Sequence, residues 1–261
     1  MPRYSEFKAA IFDVDDTLLD NKPRDPAQRL HARSRLAAVQ AVGERRGIQE
    51  LGMITTQQNL DAWTYASEHT VEAAVWNILR LAGLVTGDEA NYRNELLMEI
   101  AALKHELHEH ILRTEGREVP GATKFVRALA DNGFAGSLAV ASTATRPEID
   151  IFFAMTGLDQ FFPGDRIIAG EDVIHPKPHK EAFDSAFRTF GLPDSDRRRV
   201  LAFDEHPRGI ASARAAGLYV CSITTAFDRQ DLVRLPNPPD FIADSYAEFA
   251  MRLGLPVTLD V

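Results

Sequence analysis

Ala9-Ala10-Ile11-Phe12-Asp13-Val14-Asp15-Asp16-Thr17 passes from an apolar run straight into three carboxylates and a hydroxyl. An apolar run that stops abruptly at an aspartate is how a buried parallel strand delivers a polar side chain to its C-terminal edge. Three later segments repeat the pattern: Leu138-Ala139-Val140-Ala141 runs into Ser142, Arg166-Ile167-Ile168-Ala169 into Gly170, and Val200-Leu201-Ala202-Phe203 into Asp204. Leu218 to Ile223 reads as a fifth strand.

Helical patterns separate these strands. Phe183, Ala186, Phe187 and Phe190 fall at i, i+3, i+4 and i+7 before Gly191, and the Ala-rich residues 208–216 end at Gly217. Strand and helix in alternation imply parallel βαβ units, hence a doubly wound, Rossmann-like α/β core. In such sheets ligands bind outside the carboxyl ends of the strands, so Asp13, Ser142 and Asp204 are expected around one crevice. Residues 21–117 lack strand signals and are too long for a crossover connection. They read as an inserted α-helical bundle acting as a cap, with the core formed by residues 1–20 and 118–261. In the insert, Leu30, Leu36, Val39 and Val42 precede Gly43, and Val75, Ile78, Leu79 and Ala82 precede Gly83. A third helix is expected over residues 88–113, with re-entry into the core at Val119-Pro120-Gly121.

Hydrophobic residues make up 45% of the 261 and charged residues 26%, an ordinary globular balance that excludes a disordered chain. The formal net charge of -9 argues against nucleic acid and anionic membrane as partners, since both need clustered Lys and Arg. Small molecules are the favoured ligands. The one cysteine, Cys221, falls in an apolar strand and reads as a small buried residue rather than a nucleophile. No apolar leader or membrane-length run stands out, and a cytoplasmic protein is expected. The sequence assigns no oligomeric state.

Asp13 and Asp15 sit two residues apart where the chain leaves the sheet, so one carboxylate can attack phosphorus while the other protonates a leaving alkoxide and then activates water. Taken alone, the pentapeptide fits an acidic turn as well. Ser142-Thr143 offers a hydroxyl and an amide to phosphate oxygens, though both residue types are common helix caps. Lys177 stands between prolines in His175-Pro176-Lys177-Pro178, and Asp204-Glu205 offers hard oxygen ligands for Mg²⁺. His105-Glu106-Leu107-His108 differs from the H-E-x-x-H zinc motif. With Leu103, Leu107 and Ile111 it reads as a core stripe backed by a solvated face.

In this order, the strand with DxDxT, the strand with Ser, Lys-Pro and the strand with Asp-Glu resemble the haloacid dehalogenase-like superfamily, specifically its phosphatases with a helical cap after the first motif, such as phosphoglycolate phosphatases. Gly209-Ile210-Ala211 through Gly217 extends the resemblance. It implies Asp13 as nucleophile, Asp15 as general acid/base, and Lys177 as the residue that orients Asp13 and offsets charge. Thr17 would buttress the turn on the substrate side, with Ser142 and Thr143 binding the phosphoryl group. Asp13, the Asp15 carbonyl, Asp204 and Glu205 would hold Mg²⁺. The family's usual order is Glu then Asp, reversed here, and His206 replaces a small residue. Asp15 ranks down dehalogenase and phosphonatase chemistry, leaving a phosphatase for a small phosphorylated metabolite. The alternatives are a phosphomutase or a non-catalytic member that binds a phospholigand or a protein. Trp63, Tyr65, His69 and Arg80 are candidate selectivity residues in the cap.

Overall fold

The first strand, β1 (Ala9–Phe12), is buried along its whole length, with Ala9 and Ile11 facing one side of the sheet and Ala10 and Phe12 the other. The computed structural model describes residues 2–22, 24–66 and 70–256. It divides into two compact units, Met1–Asp20 with Gly116–Val261, and Asn21–Glu115.

In the first unit β1 pairs with β2 (Leu138–Ala141) and β4 (Val200–Phe203), β3 (Ile167–Ile168) flanks β2, and β5 (Tyr219–Ile223) flanks β4. Every pairing is parallel, and the order is β3-β2-β1-β4-β5-β6. The sixth strand, β6 (Phe241–Ala243), escapes the sequence reading because three residues on an edge carry no periodic signal. The expected strand at 166–169 contracts to two residues, since a 3-10 turn, Gly164–Arg166, precedes it.

Both faces of the sheet are covered, as uninterrupted apolar strands require. On one face α8 (Glu181–Arg188) and α9 (Pro207–Ala215) bury Phe183, Phe187, Ile210 and Ala213 against Ile11, Ala139 and Ala202. On the other, Phe125 of α6 (Ala122–Leu129) and Phe249 of α11 (Tyr246–Leu253) meet Phe203, which stacks on Phe12 at 4.6 Å. The shorter α7 (Arg146–Thr156) and α10 (Arg229–Val233) complete the unit. Cys221 is fully buried in β5.

The second unit is helical: α1 (Leu30–Arg46), α2 (Gln49–Gly52), α3 (Thr56–Thr64), α4 (Val71–Leu81) and α5 (Glu95–Glu115), closed over Val39, Val42, Leu51, Trp76, Leu79 and Ile100. Two boundaries differ from expectation. Helix α1 runs through Gly43 and stops at Gly47, where φ is +67°, because Gly43 is a packing position: a Cβ there would lie 2.7 Å from Leu51 Cβ. Helix α5 starts at Glu95 rather than 88, since Asn94 Oδ1 accepts the Leu97 N–H at 3.0 Å and fixes the start. Among the described residues no helix is long and apolar enough to cross a membrane.

Candidate active site

Chain direction along the sheet reverses between β1 and β4, where a doubly wound fold opens its ligand crevice. Phe12 lies opposite Phe203, so Asp13 and Asp204 leave the sheet side by side, and the Asp13 N–H still bonds Phe203 O at 2.9 Å. Lys177 enters from the segment before α8. Its Nζ donates to Asp13 Oδ1 at 2.6 Å and to Asp204 Oδ2 at 2.7 Å, and the ammonium stands 4.9 Å from the centre of the Phe183 ring. All three are buried: Asp13 is 6% exposed, Lys177 6% and Asp204 2%. Arg208 fixes the segment by donating from Nε, at 3.0 Å, and from Nη2 to the Lys177 carbonyl.

The charges of these groups follow from burial. Desolvation pushes the Asp13 carboxyl up to about 7, Lys177 opposes the shift, and Asp204 and Asp15 add to it. Burial likewise drives Glu205 well above the usual carboxylate range, with Asp204, Asp13 and Asp16 acting in the same sense. For Lys177 burial works against the charged form, yet Asp13 and Asp204 outweigh it and raise its pKa, so the ammonium persists.

After Asp13 the chain folds back on itself. Leu18 and Leu19 both donate to Val14 O at 2.8 Å, and Asp16 adopts φ +58°, a left-handed conformation that aspartate tolerates better than most residues. Asp15 is half-buried at this turn. Thr17 is fully buried, and its hydroxyl donates to Glu205 Oε2 at 2.7 Å. This corrects the expectation of a substrate-side contact. Thr17 supports the turn and orients Glu205 because no hydroxyl capacity faces outward. Two supports have no sequence signal: Tyr246 donates from its hydroxyl to Thr17 O at 2.8 Å, and Thr225 Oγ1 to Asp16 O at 2.6 Å.

At the end of β2, Ser142 is buried and its Oγ accepts the Ala144 N–H at 3.2 Å, while Thr143 is exposed. Gly170 backs this loop so closely that a Cβ would lie 2.6 Å from Thr143 O. At the end of β4 the departures from the family pattern acquire roles. His206 caps α9 by accepting the Arg208 N–H on Nδ1 at 3.1 Å, its own N–H donates to Asp204 Oδ1 at 2.9 Å, and its ring meets Phe227 edge-on. Gly209 lies under the Asp204 carboxylate, where a Cβ would fall 1.8 Å from Oδ2.

Asp13, Asp15, Asp204 and Glu205 form a set of hard oxygen donors with excess negative charge, the chemistry that suits Mg²⁺. Lys177 and Thr17 hold these carboxylates apart, and among the described residues no three of them bring oxygens within 4.8 Å of one another.

The helical unit places its own candidates differently. The Trp63 ring lies 5.4 Å under the guanidinium of buried Arg35, which bonds Asn59 Oδ1 and O, each at 2.8 Å. Tyr65 is exposed, Arg80 pairs with Asp88 at 2.9 Å, and His69 lies outside the described residues. The buried stripe of α5 is Leu97, Ile100, Ala101, Lys104, His108 and Leu112, with Leu103, Leu107 and Ile111 half-buried. His108 is therefore a core residue, stacked on His31 with ring centres 3.8 Å apart.

The model of a haloacid dehalogenase-like hydrolase family matches residues 7–217. Glycerol-1-phosphate phosphohydrolase 2 of Saccharomyces cerevisiae is 27% identical over 237 residues, 87% of this chain and 78% of that protein. Protein CbbY of Rhodobacter capsulatus is 33% identical over 117 residues, 43% of this chain and 48% of that protein. The crystal structure of CbbY from Rhodobacter sphaeroides in complex with phosphate superposes with a TM-score of 0.68 at 22% identity, covering 93% of this chain and 96% of that one.

Proposed function

The chain belongs to the haloacid dehalogenase-like hydrolase family, and from that premise we propose that it is a Mg²⁺-dependent phosphatase of small phosphorylated metabolites working through a phosphorylated Asp13. The observation that carries the reading is the buried Lys177 ammonium shared between Asp13 Oδ1 and Asp204 Oδ2. It fixes one Asp13 oxygen and offsets the repulsion that an anionic ester meets at this carboxylate.

Asp13 attacks phosphorus with a carboxylate oxygen. The P–O bond to the alcohol breaks, and the leaving oxygen takes a proton from Asp15. Asp15, now ionised, removes a proton from water. The resulting hydroxide attacks the phosphorus of the acyl phosphate, releasing inorganic phosphate and regenerating Asp13. Ser142 and Thr143, at the end of β2, are the proposed phosphoryl-binding groups. Mg²⁺ held by Asp13, the Asp15 carbonyl, Asp204 and Glu205 supplies charge neutralisation for an anionic substrate. Similarity to a glycerol-1-phosphate phosphohydrolase and to CbbY supports polyol and sugar phosphates as the substrate class. The single buried Cys221 is consistent with a reducing, cytoplasmic setting.

The test is phosphate release from p-nitrophenyl phosphate with and without Mg²⁺, then from a panel of polyol, sugar and glycolate phosphates. Asp13→Asn should lower turnover at least about a thousandfold with an unchanged circular dichroism spectrum, because an amide is a poor nucleophile. Turnover near wild type in that variant would sink the mechanism.

A further inference from the structure

His175, His179 and Glu181 lie on the segment that carries Lys177 and on the first residue of α8, and none of them enters the chemistry above. The Glu181 carboxylate is fixed from the backbone, Oε1 accepting the Ile174 N–H at 2.8 Å and Oε2 the His175 N–H at 3.0 Å. Its Oε2 stands 2.9 Å from His175 Nδ1 and 3.8 Å from His179 Nδ1, and the two ring centres are 4.7 Å apart. All three donor atoms lie within 4.8 Å of one another.

A tetrahedral ion with ligand bonds near 2.1 Å spaces its ligands about 3.4 Å apart. The two distances from Glu181 Oε2 bracket that value. A simple hydrogen bond accounts for His175 alone, since His179 Nδ1 is engaged only by the Glu181 N–H at a long 3.3 Å. The histidine side chains are 64% and 49% exposed, so a solvated ion can reach both.

We propose that His175, His179 and Glu181 form a surface site for a divalent transition ion of the zinc class. Two imidazole nitrogens and one carboxylate oxygen suit Zn²⁺ and disfavour Mg²⁺, which separates this site in chemistry from the all-oxygen set around Asp13. Binding through Nδ1 shifts the His175 proton to Nε2, and three protein ligands leave a position for water. Because His175 and His179 stand two residues either side of Lys177, a bound ion bridges the segment across the residue that pairs with Asp13.

The test is Zn²⁺ titration of the full chain against a chromophoric chelator in saturating Mg²⁺. The wild type should hold one more equivalent of Zn²⁺ than the His175→Ala, His179→Ala double variant. His179→Gln alone should weaken that equivalent roughly tenfold or more. His110→Ala, at an exposed histidine outside the set, should leave it intact. Zinc bound at the acidic centre would persist equally in all variants and so does not blur the comparison. Equal stoichiometry and affinity in the wild type and the double variant overturns the proposal, and so does an equal loss in His110→Ala.

Discussion

Replacing Gly209 by alanine probes how α9 holds the Asp204 carboxylate against Lys177, and two effects of opposite sign compete. Inside a helix, glycine to alanine ordinarily stabilises by up to about 1 kcal/mol, through better helix propensity. Here the added methyl would begin 1.8 Å from Asp204 Oδ2, 2.0 Å from Cγ and 2.1 Å from Oδ1. Non-bonded heavy atoms need about 3 Å or more, so the carboxylate must retreat by on the order of 1 Å. Asp204 has no slack for that movement, with its oxygens bonded at 2.7 Å to Lys177 Nζ and at 2.9 Å to the His206 N–H. A retreat of that size breaks at least one of the two. Losing a hydrogen bond to a buried charge costs about 1.5–3 kcal/mol, and losing the ion pair about 3–5 kcal/mol. The clash therefore wins, with a net loss of about 2–4 kcal/mol. Urea unfolding followed by circular dichroism measures it, alongside turnover of p-nitrophenyl phosphate, which should fall as Asp204 and Lys177 separate. Because both changes act on one contact, Gly209→Ala should add little to Asp204→Asn in a double variant. A Gly209→Ala protein as stable and as active as wild type would refute the reasoning.

Asp15→Asn should slow unactivated alkyl phosphates far more than p-nitrophenyl phosphate, whose leaving group needs no proton; single-turnover rates that fall equally for both would remove Asp15 from the acid's role. Both Asp204 oxygens are engaged by Lys177 and His206, whereas Glu205 bonds Thr17 through Oε2. Glu205→Ala should accordingly raise the Mg²⁺ concentration for half-maximal activity more than Asp204→Ala, and the opposite order in activation curves transfers the principal ligand role to Asp204. Tyr246→Phe removes the buried hydrogen bond to Thr17 O and should cost about 1–2 kcal/mol in urea unfolding, with no loss of stability counting against that support of the turn.

The sequence by itself determined those features that rest on neighbours in the chain. Apolar runs ending at Asp13, Ser142 and Asp204 marked the strands and their ends, because a strand buried on both faces needs an unbroken apolar run and its polar exit has to be local. Helices ending at Gly191 and Gly217 were legible for the same reason, since glycine takes the left-handed conformation that each terminus uses, with φ of +65° and +77°. Tertiary structure alone decided which groups meet. Lys177 lies 164 residues from Asp13, Thr17 lies 188 from Glu205 and Tyr246 lies 229 from Thr17, and no local pattern encodes such pairings. The cap at His206, the close packing at Gly43 and Gly209, and the edge strand β6 belong to the same class. Each is set by what another element brings against it, and a hydrogen bond or a missing Cβ acquires meaning only when that partner is in place.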